Sequence, residues 1–129
     1  MQLVDRLEMT IGESFFDLEG LPLDSEILAF LKKFRSTSEH VLPDPFLSMK
    51  KGGALRHFQR EARIHNTRLL KANDVVTLET SVDVTDRSLL FVHTICRGLY
   101  TVVRVEAIDV LLDEKGETVP IDGLRGWSI

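Results

Sequence analysis

Apolar residues recur with a helical period in one long stretch of the chain. Between residues 24 and 37, four apolar side chains follow the spacing i, i+3, i+4, i+7, which places them on one face of a helix. Asp24 or Ser25 suits the N-cap of such a helix, and Arg35 falls near its C-terminal end, where a cation suits the helix dipole. The pattern therefore predicts one long helix over residues 24–37, whose apolar face carries Ile27, Phe30, Leu31 and Phe34.

Most of the remaining chain alternates between apolar and polar residues, which is the pattern of a strand with one buried face. The alternation is cleanest over residues 76–84. Glycine and proline residues predict loops at 12–23 and 38–53, the second with a short turn of helix at 44–49. The predicted strands cover residues 2–11, 55–67, 76–84, 89–97 and 99–112, with a hairpin turn at 113–116 and a short final strand or tail at 117–121.

One helix followed by consecutive antiparallel strands predicts an α+β fold in which the helix packs on one sheet. The length of 129 residues is that of one domain, residues 1–129. A single apolar helix face covers only one face of a sheet, and the end strands of the sheet present unpaired backbone groups. We therefore expect a homo-oligomer with shared sheet edges or packed helices.

The composition is that of a soluble globular protein, with 43% hydrophobic and 28% charged residues. Sixteen Lys and Arg against twenty Asp and Glu give a net charge of −4, which argues against bulk electrostatic binding of nucleic acid or an anionic membrane. No stretch approaches the roughly 18 apolar residues of a transmembrane helix, and the first residues do not resemble a signal peptide. The single Cys96 rules out an intramolecular disulfide. We expect a cytoplasmic protein that binds neither nucleic acid nor membrane.

Three segments in the second half of the chain resemble one known family. Residues 73–80 (NDVVTLET) are similar to the family's strand entry, in which Gly-Asp precedes alternating apolar residues and a Glu. Residues 85–89 (TDRSL) are similar to its Arg/Lys-Ser strand start, and residues 104–121 to its last strand with the ending Val-Pro-Ile. In this order the motifs resemble acyl-CoA thioesterases of the 4-hydroxybenzoyl-CoA thioesterase type. The resemblance implies the hotdog fold, in which a long central helix is wrapped by an antiparallel β-sheet.

The resemblance also implies a catalytic carboxylate ahead of the long helix. The family has an acidic loop there, and residues 17–20 (DLEG) reproduce its second Asp and its Gly. By resemblance Asp17 is the nucleophile or general base, and its side chain is expected to face the amino end of the helix. Glu13, Glu19 and Asp24 are the rival acids. The family's oxyanion donor is a backbone N–H at the start of this helix, which corresponds to Asp24 or a neighbour.

Arg87 and Ser88 begin a strand in the region where the family meets the pantetheine arm and the nucleotide phosphates of its substrate. Arginine suits phosphate because its fork donates two parallel hydrogen bonds. His57 and His65 lie on the strand near the predicted helix, and we take His65 as a candidate polar group of the substrate pocket. The histidines do not show the spacing of metal ligands, so we expect no metal. Coenzyme A enters as part of the substrate, and no cofactor is expected.

The leading hypothesis is a thioesterase that hydrolyses a small-molecule acyl-CoA or acyl-carrier-protein thioester across the interface of a homodimer or a dimer of dimers. The loop departs from the family at Phe15, in place of the first Asp, and at residues 21–24 (LPLD), after the Gly. These departures motivate an alternative, a hotdog module that binds acyl thioesters without cleaving them. A third reading is a dehydratase-like hotdog enzyme, because His57 or His65 with a loop acid would supply its histidine–acid pair.

Overall fold

The computed structural model describes residues 1–38 and 40–121 of the chain. The predicted long helix is confirmed with its bounds, and the short turn predicted at 44–49 is a second helix that extends to Lys51. The five long predicted strands are confirmed to within one residue at each end, whereas residues 117–121 form only a single bridge, between Leu112 and Thr118. In the described residues the elements are β1 (Gln2–Thr10), a 3-10 turn (Glu13–Phe15), α1 (Asp24–Thr37), α2 (Asp44–Lys51), β2 (Arg56–Asn66), β3 (Val75–Val84), β4 (Leu89–Arg97) and β5 (Tyr100–Leu112).

The five strands form one antiparallel sheet in the order β1-β3-β4-β5-β2. β3, β4 and β5 pair in sequence order, as the predicted run of consecutive antiparallel strands requires. β2 does not pair with β3, which follows it in sequence, because β1 already occupies that edge of β3. It lies instead at the far edge beside β5. The α+β class is therefore confirmed, with the connection between β2 and β3 crossing the sheet.

Two apolar clusters fill the space between the helices and the sheet. Ile27 and Leu31 of α1 are fully buried in the first cluster, which includes Leu78 from the beginning of β3. Phe46 of α2 is fully buried in the second, beside Leu111 from the end of β5. Burying such a side chain is worth about 1.5–3 kcal/mol. The two helices therefore cover the same face of the sheet at different points along its strands.

Two details of α1 differ from the sequence prediction. Neither Asp24 nor Ser25 caps the helix, because Leu23 holds the N-cap position and no side chain in the described part of the chain caps the first turn. Asp24 is the first helical residue, and its negative charge still interacts favourably with the positive end of the helix dipole. Arg35 is not a solvated cation at the helix end. It is only 1% exposed, because it pairs with the buried carboxylate of Asp109 in β5.

Candidate functional site

The acidic loop ahead of α1 contains a tight turn organised by Asp17. Oδ1 of Asp17 accepts hydrogen bonds from the backbone N–H groups of Glu19 and Leu21, both at 2.9 Å. Gly20 completes the turn with a φ of 82°, a conformation that favours glycine. The spacing of Asp and Gly in this motif therefore has a local structural cause. Asp17 is exposed, so water reaches the carboxylate that the sequence predicts to be catalytic.

The first turn of α1 begins three residues after this turn. The N–H groups of residues 24–26 precede the first bond of the helix, which the Ile27 N–H donates to the Leu23 oxygen at 3.1 Å. Such N–H groups have no partner within a helix and carry partial positive charge. A helix start with unpaired N–H groups therefore binds an anion or stabilises a developing negative charge.

Asn66 connects the end of β2 to this helix terminus. Its Nδ2 donates to Oδ1 of Asp24 at 2.8 Å and lies 3.4 Å from the backbone oxygen of Pro22. Asp24, the second predicted catalytic residue, is exposed at the helix start and bonded to this amide. Asn66 therefore holds both the loop and the first turn of α1 in place, a role that the sequence did not reveal.

Arg87 and Ser88 lie at the opposite end of the sheet from Asp17. They belong to the turn between β3 and β4, where Arg87 is exposed and its Nη1 donates to the backbone oxygen of Thr118 at 3.2 Å. The loop that holds Asp17 follows β1, whose last residues pair with the first residues of β3. β3 has ten residues and therefore spans about 30 Å. Within one chain, the structure does not bring these two predicted parts of the site together.

His65 lies on the face of the sheet that points away from α1. Its two neighbours point toward the helix, since Ile64 packs against the cluster of α1 and Asn66 bonds to Asp24. Because side chains alternate along a strand, His65 faces the other side. There it is exposed and lines a shallow groove with Arg104.

A buried ionic cluster lies between the two apolar clusters. Arg35 and Asp109 are each 1% exposed, and Arg35 Nε donates to Asp109 Oδ2 at 3.0 Å. Arg35 also donates to Gln59 Oε1 of β2 and to His93 Nε2 of β4, the latter at 3.1 Å. Its guanidinium carbon lies 5.6 Å from the centre of the Phe91 ring. One side chain of α1 is therefore bonded to three strands of the sheet.

The hydrogen bonds determine which nitrogen of His93 carries the proton. A guanidinium only donates, so His93 Nε2 accepts from Arg35 and the protonated Nδ1 donates to Thr80 Oγ1 at 2.8 Å. Burial and then the charge of Arg35 lower the pKa of His93 to about 3, against the opposing effect of Asp109. His93 is therefore neutral at physiological pH, and its neutrality is what allows Arg35 to lie beside it.

His57 completes the cluster on the side of α2. Its Nε2 donates to Asp109 Oδ2 at 2.8 Å, because an ionised carboxylate can only accept. Burial raises the pKa of Asp109, but the hydrogen bond from His57 and the charge of Arg35 outweigh it and hold the pKa below its usual value. His57 Nδ1 and Asp109 Oδ1 have no hydrogen-bond partner among the described residues. The centres of the Phe46 and His57 rings lie 5.1 Å apart. Since Phe46 belongs to α2, this histidine–acid pair lies beneath α2 and not at an open pocket.

Sequence reasoning missed this cluster, although the chain carries its signal. Arg35 lies four positions after Leu31 and eight after Ile27, which places it on the apolar face of α1. Asp109 lies two positions after Ala107, in the inward-facing phase of β5. A charged residue in the buried phase of each of two packed elements indicates a buried ion pair.

Within residues 1–38 and 40–121, no group of three or more His, Cys, Asp or Glu side chains is placed to hold a metal ion. In that same part of the chain, no helix has both the length and the apolar character needed to cross a membrane.

Comparisons with known proteins identify the fold. No protein-family model matches the sequence, and no curated protein matches it. A probable thioesterase from Escherichia coli superposes with a TM-score of 0.75 at 13% identity, over 94% of this chain and 93% of that one. A gentisyl-coenzyme A thioesterase gives 0.74 at 15% identity, over 95% and 100% of the two chains. A Staphylococcus aureus protein in complex with CoA gives 0.73 at 17% identity, over 92% and 76%. The chain therefore has the hotdog fold, the fold of the thioesterases that its motifs resemble.

Proposed function

We propose that this chain is a thioesterase that hydrolyses an acyl-CoA or acyl-carrier-protein thioester, with α1 as the long central helix wrapped by the sheet. The observation that carries the proposal is the start of α1, where no described side chain caps the first turn and an exposed acidic turn lies directly ahead. Thioester hydrolysis needs such a carboxylate together with donors for an oxyanion. Solved structures with this fold include thioesterases and a complex with CoA.

In the proposed reaction, Asp17 accepts a proton from water while the water oxygen attacks the thioester carbonyl carbon. The carbonyl oxygen becomes an oxyanion and accepts hydrogen bonds from the N–H groups at residues 24–26. The intermediate then collapses, the carbon–sulfur bond breaks, and the leaving thiolate takes the proton from Asp17. The products are a free acid and a thiol. Coenzyme A takes part only as a portion of the substrate.

The proposed site needs a second copy of the chain. Arg87 and Ser88 are our candidates for holding the phosphates and the pantetheine arm, yet they lie about 30 Å from the end of the sheet that carries Asp17. In a homodimer or a dimer of dimers, this turn of one protomer can approach the start of α1 in its partner. His65, with Arg104 beside it in the groove, is a further candidate contact for the substrate.

Two observations favour the alternative of a module that binds acyl thioesters without cleaving them. Oδ1 of Asp17 already accepts hydrogen bonds from two backbone N–H groups of its own turn, so this oxygen is committed to the turn rather than to a water molecule. The carboxylate of Asp24 also places negative charge at the helix terminus where an oxyanion would form. Tight binding without turnover would be the result of this alternative.

Replacing Asp17 with asparagine tests the proposal. Asparagine keeps the oxygen that accepts from Glu19 and Leu21, so the turn is expected to persist while the base is lost. We expect wild-type protein to release thiol from at least one member of an acyl-CoA panel, and Asp17→Asn to lower kcat on the order of 10²-fold with little change in KM.

Glu13→Gln is the matched control, since Glu13 is another exposed acid of the same loop. This variant is expected to keep the wild-type kcat. Equal activity of Asp17→Asn and wild type would remove Asp17 from the reaction. Wild-type protein that binds an acyl-CoA by calorimetry and releases no thiol would replace the thioesterase with the binding module.

A further inference from the structure

Arg35 lies at the end of α1 that is remote from the proposed reaction. It lies eleven positions after Asp24, which corresponds to about 16 Å along the helix axis. We propose that Arg35 is a positioning residue, which fixes the axial position of α1 on the sheet and with it the N–H groups of the first turn. The consequence for catalysis rests on the proposed thioesterase function, whereas the positioning itself rests on the geometry of the buried cluster.

Directed bonds fix the position of a helix more sharply than apolar packing does. Ile27 and Leu31 contact the sheet through side chains whose attraction has no preferred direction. Hydrogen bonds weaken steeply when their length or angle departs from the optimum. The planar guanidinium of Arg35 is bonded to acceptors on β2, β4 and β5, so sliding α1 along the sheet strains bonds to all three strands.

Stability alone does not account for charges at this position. Arg35 and Asp109 are each 1% exposed, and the cost of removing two such charges from water is commonly as large as their attraction. Well-packed apolar residues in such places often give equal stability. The best-attested role of buried polar groups is to specify one packing register among several. For the reaction, a misplacement of about 1 Å costs up to roughly 10²-fold in rate.

Arg35→Lys is the first test, because lysine keeps the charge beside Asp109 and replaces the planar fork by a single donor group. We expect kcat for thioester hydrolysis to fall about 10-fold or more while KM changes less than about 3-fold. Independently of activity, the backbone amide NMR signals of residues 24–26 should shift in the variant. Leu42→Ala is the control, since Leu42 is 5% exposed in the second apolar cluster and makes no bond to Arg35. It should lower stability without moving these signals.

The double variant Arg35→Met with Asp109→Leu removes both charges together. It is expected to unfold at a lower urea midpoint than wild type, because His57 Nε2 loses its acceptor, but above that of Asp109→Ala, and still to show the lowered kcat. Unmoved amide signals of residues 24–26 in Arg35→Lys, or a folded double variant with the wild-type kcat, would overturn the positioning role. If wild-type protein cleaves no thioester, the proposed function fails, and the NMR comparison still decides whether Arg35 fixes α1.

Discussion

Replacing Asp109 with alanine is expected to lower the free energy of unfolding by about 3–5 kcal/mol. The substitution leaves Arg35 as a buried cation without its anion, and it removes the acceptor of His57 Nε2. Small domains have a total stability of about 5–15 kcal/mol, so this single change removes a large share of it. Urea denaturation at pH 7, followed by circular dichroism, measures the difference.

Glu106→Ala provides the comparison on the same strand. Glu106 also pairs with an arginine, Arg104, at 3.1 Å, but the two side chains are 43% and 49% exposed. An exposed pair of this kind contributes about 0–1 kcal/mol. Burial is therefore the variable that separates the two substitutions. A loss below about 1 kcal/mol for Asp109→Ala, or equal losses for the two variants, would show that Arg35 and Asp109 do not form a buried pair.

The elements of this fold were predictable because each has a strong local pattern. The apolar face of α1 follows a helical period over four side chains, and the alternation of β3 extends over its whole length. Gly and Pro residues between these elements mark the loops. The order of the strands was less accessible. The sequence indicates a run of antiparallel strands, whereas the position of β2 beside β5 depends on β1 having occupied the edge of β3.

In the candidate site, too, features that depend on neighbouring residues were predictable, whereas contacts between residues distant in sequence were not. The turn at residues 17–20 could be predicted from the spacing of Asp and Gly, because both act within that turn. Asn66 could not be assigned to the start of α1, since the contact joins residues 42 positions apart. The cluster of Arg35 and Asp109 spans 74 positions. In the sequence, each element shows only a charged residue at a position where its pattern expects an apolar one. That the two charges form a pair becomes evident only when the elements are packed together.

The stability of the protein is expected to fall steadily as the pH decreases from about 6.5 to about 3. The ordinary pKa of histidine is 6.5, whereas burial and the charge of Arg35 hold the pKa of His93 at about 3 in the folded chain. Above pH 6.5 the His93 ring is neutral in both the folded and the unfolded chain, so its titration costs no stability. Below it the unfolded chain binds a proton that the folded chain does not, which costs about 1.4 kcal/mol per pH unit and about 5 kcal/mol over the interval. The lowered pKa of Asp109 adds a loss of the same sign below its ordinary value of 3.8.

His93→Gln isolates the contribution of this ring. Glutamine offers an acceptor for Arg35 and a donor for Thr80 but does not titrate, so the variant should show a flatter dependence of stability on pH between 6 and 4. His65→Gln, which changes an exposed histidine on the other face of the sheet, should keep the wild-type slope. Urea denaturation at several pH values gives the three slopes. Parallel lines for wild type and His93→Gln would mean that acid acts on another group, whereas a flatter line for His93→Gln alone would identify the neutral histidine beside Arg35 as the acid-sensitive point of the fold.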